Sequence, residues 1–157
     1  MPPRAMSPRP TTDKLELAAV RYLAQRERTE AQVRAFLSRA GASATRTRSL
    51  LSRFRTQGYL DDKAYAARWA GARLSRCPMG RARLEAELLA KGFDRTTVAW
   101  ALKQAYADSD LRALARTLLA RRLGRAAGDR RRGAGLLRRY GFEEEIIEEL
   151  FDLSESP

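Results

Sequence analysis

The chain has 157 residues, enough for one domain or for a short array of small units that share a core. Its 31 lysine and arginine residues against 19 acidic ones give a net charge of +12, so a polyanionic partner is expected. The sequence has no histidine, which excludes Ser-His and Cys-His catalytic pairs and most zinc sites. It has a single cysteine, Cys77, which excludes an internal disulfide.

Residues 1–13 contain four of the six prolines and lack an apolar h-region. They are therefore predicted to form a flexible basic leader and not a secretory signal. No apolar run approaches the ~18 residues that a membrane span needs. Together with the lone cysteine, which suits a reducing compartment, this favours a cytoplasmic protein.

Beyond the leader the apolar residues recur at helical spacing, and no alternating run typical of a strand is present. The helices expected in chain order are 15–25, one from Thr29, 45–57, 62–76, one from Gly80, 94–106, 109–123, 129–140 and 143–153. Thr29, Gly80 and Asp129 are residue types that occur at N-caps, and Gln32 predicts a capping box with Thr29. The predicted fold class is all-α.

Four of these helices are predicted to stop at a glycine: Gly41, Gly58, Gly92 and Gly141. In each case an apolar residue stands four positions before the glycine and another follows it, as in the Schellman motif. The apolar pairs are Leu37 and Ala42, Phe54 and Tyr59, Leu88 and Phe93, and Leu137 and Phe142. Three of the stops lie about 50 residues apart, which indicates tandem three-helix units at 14–60, 61–107 and 108–153, with a tail at 154–157.

Two adjacent aspartates, Asp61 and Asp62, follow the second stop within GYLDDKAYAARW, residues 58–69. A catalytic or metal-binding role is the alternative, but no third ligand or base is spaced to help them. We interpret Asp61 as an N-cap, with a hydrophobic staple between Leu60 and Tyr65. Asp62 would then face the positive end of the helix dipole, worth roughly 0.3–1 kcal/mol. Asp94 is predicted to cap the sixth helix in the same way.

GYLDDKAYAARW, followed by CPMGRARLEAELLAKGF at residues 77–93, resembles the RecX family of bacterial recombination regulators. That family has a G-Y-[LI]-D-D-x-x-[YF]-A element and a P-x-G…L-x-x-E-L-x-x-K-G-[FI] element. This chain fills the second pattern with Pro78, Gly80, Leu84, Glu87, Leu88, Lys91 and Gly92. AVRYLAQRERTEAQVRAFLSRAG, residues 19–41, is similar to the family's first unit, so the resemblance covers about residues 14–153.

The resemblance implies three tandem three-helix units that form an elongated, curved molecule, and a regulator that binds the recombinase RecA. In the family, the basic molecule lodges in the groove of the RecA filament on single-stranded DNA, slows ATP hydrolysis and strand exchange, and damps the SOS response. We expect a monomer without metal, cofactor or catalytic residues. Its expected partners are the RecA filament and single-stranded DNA, contacted directly or through the filament, and no membrane.

Two groups of cations are candidates for contact with RecA or DNA, because the planar fork of arginine binds phosphate and carboxylate in a bidentate manner. The middle unit contributes Arg73, Arg76, Arg81, Arg83, Lys91 and Arg95. The last unit contributes Arg121, Arg122, Arg130, Arg131, Arg132, Arg138 and Arg139. The alternative interpretation is a solvated helix face, or pairing with Glu85 and Glu87.

The last unit departs from the pattern of the others. Gly133 stands where Val33 and Leu84 place core residues, and Gly135 follows shortly after. Because a glycine inside a helix costs roughly 1 kcal/mol against alanine, helix 129–140 is expected to be the least stable.

The final predicted helix is acidic: residues 143–157 hold seven acids and no base, which leaves a net charge of +19 on residues 1–142. Its apolar side is expected to complete the last unit. The sharper hypothesis is an electrostatic lid that competes with DNA for the arginines just upstream.

Two other functions stay open at this point. A helical DNA-binding protein without RecA specificity is permitted by the arginine-rich faces, but no single helix groups base-reading Asn, Gln and Arg side chains. An enzyme that relies on Asp61 and Asp62, or on Glu85 and Glu87, lacks histidine and ligand spacing. The function we predict is regulation of the RecA filament.

Overall fold

The computed structural model describes residues 10–152, and within them it contains nine α-helices, one short 3-10 segment and no strand. The all-α prediction is therefore confirmed. The helices are α1 (Pro10–Gln25), α2 (Glu30–Arg39), α3 (Ala44–Thr56), α4 (Asp62–Arg76), α5 (Arg81–Lys91), α6 (Arg95–Tyr106), α7 (Leu111–Leu123), α8 (Arg130–Arg139) and α9 (Glu144–Asp152). The 3-10 segment Gly124–Gly128, which the sequence did not predict, joins α7 to α8.

Helix α1 begins five residues earlier than predicted, at Pro10. A proline is well tolerated in the first turn of a helix, where its missing N–H has no intrahelical partner. Helix α1 thus includes residues 10–13 of the predicted leader, and the remainder of that leader, residues 1–9, lies outside the described residues together with the predicted tail.

The described residues up to 62 form one compact unit, and those from 63 onward form a second. The first unit packs α1, α2 and α3 around one apolar core. That core consists of Ala19, Val33, Leu37, Leu50, Leu51, Phe54 and Leu60. Above it the rings of Tyr22 and Phe36 stack with centroids 4.4 Å apart, which holds α1 against α2.

The second unit contains two apolar clusters, one for each remaining set of three helices. Helices α4 to α6 bury Tyr65, Ala66, Ala70, Met79, Leu84, Leu88, Phe93, Val98, Ala101, Leu102 and Tyr106. Helices α7 to α9 bury Ala115, Leu118, Leu119, Ala134, Leu137, Phe142, Ile146, Ile147 and Phe151. Leu111, Leu114 and Tyr140 pack against both clusters, so the six helices share a continuous apolar interior.

The four glycines at the predicted stops all have a left-handed backbone. Gly41, Gly58, Gly92 and Gly141 have φ of +89°, +81°, +105° and +81°. In each, the following residue donates its N–H to the carbonyl four positions before the glycine, at 3.0, 2.9, 3.4 and 3.0 Å. The glycine itself donates to the carbonyl three positions before it, at 3.0–3.1 Å. These are the two hydrogen bonds of a Schellman motif.

Side-chain caps hold the helix starts. Thr29 and Gln32 form the capping box at the start of α2, with bonds of 3.1 and 2.9 Å. Asp94 accepts a hydrogen bond from the N–H of Thr97 at 2.7 Å. Hydrogen bonding to the backbone and side chain of Thr97 holds the pKa of Asp94 below its ordinary value. Asp129 accepts from the third N–H of α8 at 3.1 Å.

Asp62 begins α4, and its carboxylate also serves a different helix. Oδ1 of Asp62 accepts a hydrogen bond of 3.0 Å from the backbone N–H of Glu30, the first residue of α2. One of the unpaired donors at the start of α2 is therefore satisfied by a residue 32 positions further along the chain. The sequence indicated only the local role of Asp62.

Gly133 is a packing position, because α9 fills the space that a side chain would take. A Cβ built on Gly133 would lie 2.4 Å from Cζ of Phe151, whose ring is 5% exposed. In α2 and α5 the equivalent residues, Val33 and Leu84, fill this space from their own helix. The weak helix propensity of Gly133 thus accompanies a tertiary contact that the sequence did not reveal.

Candidate polyanion-binding surface

Glu87 on α5 binds two of the candidate arginines of the middle group. Arg73 donates to its two oxygens at 2.8 and 3.1 Å, and Nε of Arg83 donates at 3.1 Å. Burial alone would raise the pKa of Glu87, but these hydrogen bonds outweigh it and hold the pKa below its ordinary value. The alternative of pairing with Glu87 thus describes Arg73 and Arg83, whose charges are partly neutralised within the fold.

Two further cations of the middle group lie over aromatic rings. Nζ of Lys91 is 5.5 Å from the ring centroid of Tyr65 and 5.3 Å from that of Trp69. The guanidinium of Arg81 is 5.4 Å from the ring of Tyr106. Such contacts fix the position of a cation and leave its charge in place. Arg76 and Arg95 are exposed.

Helix α9 is docked through its apolar side, and its acids reach arginines of α7 and α8. Ile146, Ile147 and Phe151 are buried. Three ion pairs connect the helix to its neighbours: Arg112 with Glu149, Arg130 with Asp152 at 3.2 Å, and Arg138 with Glu144 at 2.9 Å. The hydrogen bonds from the arginines hold the pKa values of Glu144 and Glu149 below their ordinary range.

The last group also contains arginines that project into solvent. Arg121, Arg122, Arg131, Arg132 and Arg139 are all exposed. The guanidinium of Arg122 lies 5.5 Å from the ring centroid of Tyr140, and Nε of Arg132 lies 3.7 Å from a carboxylate oxygen of Asp129. The candidate set therefore contains arginines that hydrogen-bond to acids of other helices or of their own helix, such as Arg73, Arg83 and Arg138, and exposed arginines with at most a long contact of this kind.

A basic cleft in the first unit was not predicted from the sequence. The cleft has a volume of about 410 Å³ and is lined by Arg34, Ser38, Ala42, Ala44, Thr47, Arg48, Leu51 and Arg55. Glu30 pairs with Arg34 and Arg55, so two cations share one carboxylate there. The available signal was the arginine-rich sequence of α3, ATRTRSLLSRFRT, which the prediction treated as a helix of the scaffold only.

Comparison with known proteins places these features in a family. The family model for the second three-helix domain of RecX matches residues 61–102. Regulatory protein RecX of Trichlorobacter lovleyi is 33% identical over 142 residues, which cover 87% of this chain and 92% of that protein. Regulatory protein RecX of Mycobacterium leprae is 30% identical over 151 residues, which cover 93% of this chain and 87% of that protein.

Solved structures share the fold. The crystal structure of RecX from Lactobacillus salivarius matches with a TM-score of 0.77 over 91% of this chain and 97% of that chain, at 22% identity. A second crystal structure, of a regulatory protein RecX, matches with a TM-score of 0.74 over 90% of this chain and 72% of that chain, at 24% identity. At these identities the likeness concerns the fold alone. Among residues 10–152, no helix is both long and apolar enough to cross a membrane.

Proposed function

Because the chain belongs to the RecX family, we propose that it is a regulatory protein that binds the RecA filament on single-stranded DNA. Binding would inhibit the ATPase of the filament, its strand exchange and its promotion of the SOS response. The relatives are named regulatory proteins, and the proposal includes no reaction catalysed by the chain itself.

The observation that carries the proposal is the set of exposed arginines on α7 and α8, in a chain of net charge +12. A filament of protein and DNA presents phosphates and acidic side chains, and arginine binds both. Within the proposal, Arg121, Arg122, Arg131, Arg132 and Arg139 contact the filament directly. Arg76, Arg81 and Arg95 extend this surface, while Arg73 and Arg83 maintain its shape through Glu87.

The test is ATP hydrolysis by RecA on excess single-stranded DNA, with this protein added well below the RecA concentration. A regulator of the filament should lower hydrolysis at substoichiometric amounts. An unrelated basic protein of equal net charge controls for sequestration of the DNA. Inhibition that begins only when the protein is abundant enough to coat the DNA would support the alternative, a helical DNA-binding protein without RecA specificity.

A pair of triple variants links the activity to the surface. Arg131→Gln, Arg132→Gln and Arg139→Gln together should raise the protein concentration needed for inhibition. The matched control removes three exposed arginines from the first unit instead: Arg21→Gln, Arg26→Gln and Arg39→Gln. Equal loss in the two triple variants would mean that net charge, and not this surface, determines inhibition.

A further inference from the structure

The arginines of α8 have two kinds of surroundings. Arg130 and Arg138 pair with acids of α9, at 3.2 and 2.9 Å. Arg131, Arg132 and Arg139 instead line an open groove of about 610 Å³, which we call the α8 groove. Its other lining residues are Leu123, Asp129, Gly135 and Leu136.

Gly135 forms the floor of the α8 groove between the arginines. It is exposed, and a Cβ built on it would meet no atom within 4 Å apart from its own helix and chain neighbours. The packing that explains Gly133 is therefore absent at Gly135, although a glycine there weakens the helix. What the glycine provides is a stretch of bare helix backbone that a ligand can approach closely.

The spacing of the arginines suits a ligand with repeated negative charges. Arg132 and Arg139 are seven residues apart, which is about 10 Å along a helix axis, with Gly135 between them. The lining includes no Asn or Gln side chain that would read a base edge. Its one acid, Asp129, caps α8 by accepting the N–H of Arg132 with Oδ1, and its Oδ2 lies 3.7 Å from Nε of the same arginine, whose side chain is 70% exposed. Leu123 and Leu136 add apolar surface beside the cations.

We infer that the α8 groove is a binding site for the phosphodiester backbone of single-stranded nucleic acid. Arg131, Arg132 and Arg139 contact successive phosphates, and the bare backbone at Gly135 lets the strand lie close to the helix. This inference deepens the proposed function, on which it rests for the encounter with DNA, and assigns the DNA contact to one groove. Recognition through phosphates alone makes the site indifferent to base sequence.

The sharpest test uses a substitution that stabilises the helix and obstructs the groove. Gly135→Ala should raise the thermal midpoint of unfolding, because alanine has the higher helix propensity. It should also lower the affinity for fluorescein-labelled oligothymidylate several-fold, measured by anisotropy. Gly71→Ala is the matched control: Gly71 is an exposed glycine inside α4, also with no atom within 4 Å of a built Cβ. It should raise the midpoint and leave the affinity unchanged.

The salt dependence of binding counts the phosphates. Removing the three groove arginines should reduce the slope of log affinity against log salt concentration by about 2, at roughly 0.7 for each phosphate of a single strand. The triple variant of Arg21, Arg26 and Arg39 should change the slope far less. The inference is overturned if Gly135→Ala binds as tightly as Gly71→Ala, or if the two triple variants have the same slope.

An acidic protein segment is the competing ligand. If labelled polyglutamate binds as tightly as the oligonucleotide and is lost with the same substitutions, the groove serves acidic proteins and the inference fails. The RecA experiment is separate. If the wild-type protein binds DNA through the α8 groove but does not change ATP hydrolysis by RecA, the result contradicts the proposed function alone. Inhibition of RecA by wild-type protein together with full DNA affinity in the groove variants would contradict this inference alone.

Discussion

Gly80 and Gly141 meet backbone to backbone where helix α5 begins and helix α8 ends. The N–H of Gly80 donates a hydrogen bond of 2.8 Å to the carbonyl of Tyr140, and a Cβ built on Gly80 would lie 2.2 Å from the carbonyl oxygen of Gly141. Nη1 of Arg83 donates to the carbonyl of Arg139 at 3.3 Å. Two carbonyls that α8 leaves unpaired at its end are thus satisfied by the start of α5.

Gly80→Ala is expected to destabilise the protein, and the poorer N-capping of alanine at the start of α5 accounts for only a small part of that loss. The added methyl group meets backbone atoms, which cannot rotate away, so the two helices must separate. We expect the free energy of unfolding to fall by about 2–3 kcal/mol, measured by urea denaturation. Gly71→Ala, in open space, should raise it by about 1 kcal/mol. A gain in stability from both substitutions would show that α5 and α8 are not in contact at this point.

Glu87→Gln is expected to lower the free energy of unfolding by about 1–2 kcal/mol at pH 7, because Arg73 and Arg83 lose their shared carboxylate. These arginine side chains are 30% and 38% exposed, so water compensates part of the loss. The exposed Glu85 on the same helix provides the control: Glu85→Gln should change stability little.

The same variant has a defined dependence on pH. The pKa of Glu87 is lower in the folded protein than the ~4.3 of an unfolded chain. The Glu87 carboxylate therefore makes its full contribution to the free energy of unfolding above the pKa that it has in the unfolded chain. That contribution is lost as the pH falls through the pKa that it has in the folded protein. The difference in stability between wild type and Glu87→Gln should shrink below about pH 4. A difference that persists unchanged at lower pH would mean that the carboxylate charge is not what stabilises the fold.

Asp62→Ala is expected to lower the free energy of unfolding by about 1 kcal/mol, since the N–H of Glu30 loses its acceptor. Asp62→Asn keeps an acceptor oxygen and should recover most of that loss. Stability is measured by urea denaturation. Under the proposed function, the Asn variant should inhibit RecA as strongly as the wild-type protein does. Loss of inhibition in a fully stable Asn variant would instead indicate a functional role for the carboxylate.

Neutralising two acids of α9 is expected to strengthen binding to single-stranded DNA. Glu144→Gln with Glu149→Gln releases Arg138 and Arg112 from their ion pairs, so both become available to phosphate. Glu145→Gln with Glu148→Gln removes the same charge from the same helix at residues outside these pairs. Anisotropy should show a larger gain in affinity for the first double variant. Equal gains in affinity for the two double variants would mean that net charge, and not release of the paired arginines, strengthens DNA binding. Truncating α9 is unsuitable because Ile146, Ile147 and Phe151 belong to the core.

Apart from the start of α1 and the 3-10 segment, the helix boundaries were predictable because their signals are local. A left-handed glycine, the apolar residues on either side of it and a capping side chain all lie within six residues of one another, so a pattern in the sequence specifies the geometry. The roles of Gly133 and Asp62 could be predicted only in part, because their partners are distant in the sequence. Phe151 comes 18 residues after Gly133, and Glu30 comes 32 residues before Asp62.

The same distinction applies to the candidate surface. The pair of Arg83 and Glu87 is four residues apart on one helix, a spacing that favours contact, and pairing with Glu87 was foreseen as an alternative. The ion pairs of Arg112 with Glu149 and Arg130 with Asp152 span 37 and 22 residues and depend on how α9 docks. For this reason a run such as residues 130–132 could be recognised as basic, but not divided into paired and solvent-directed arginines.

Arginine supplies every cation of the α8 groove, and the chain contains no histidine. Guanidinium groups keep their proton at all pH values near neutrality, so a change of pH in that range leaves the positive charge of these arginines unaltered. Near neutral pH the charge of the proposed binding surface is therefore constant. The affinity of the proposed groove for a nucleic-acid strand depends on ionic strength instead. It should rise at low salt concentration and fall under osmotic stress that concentrates salt.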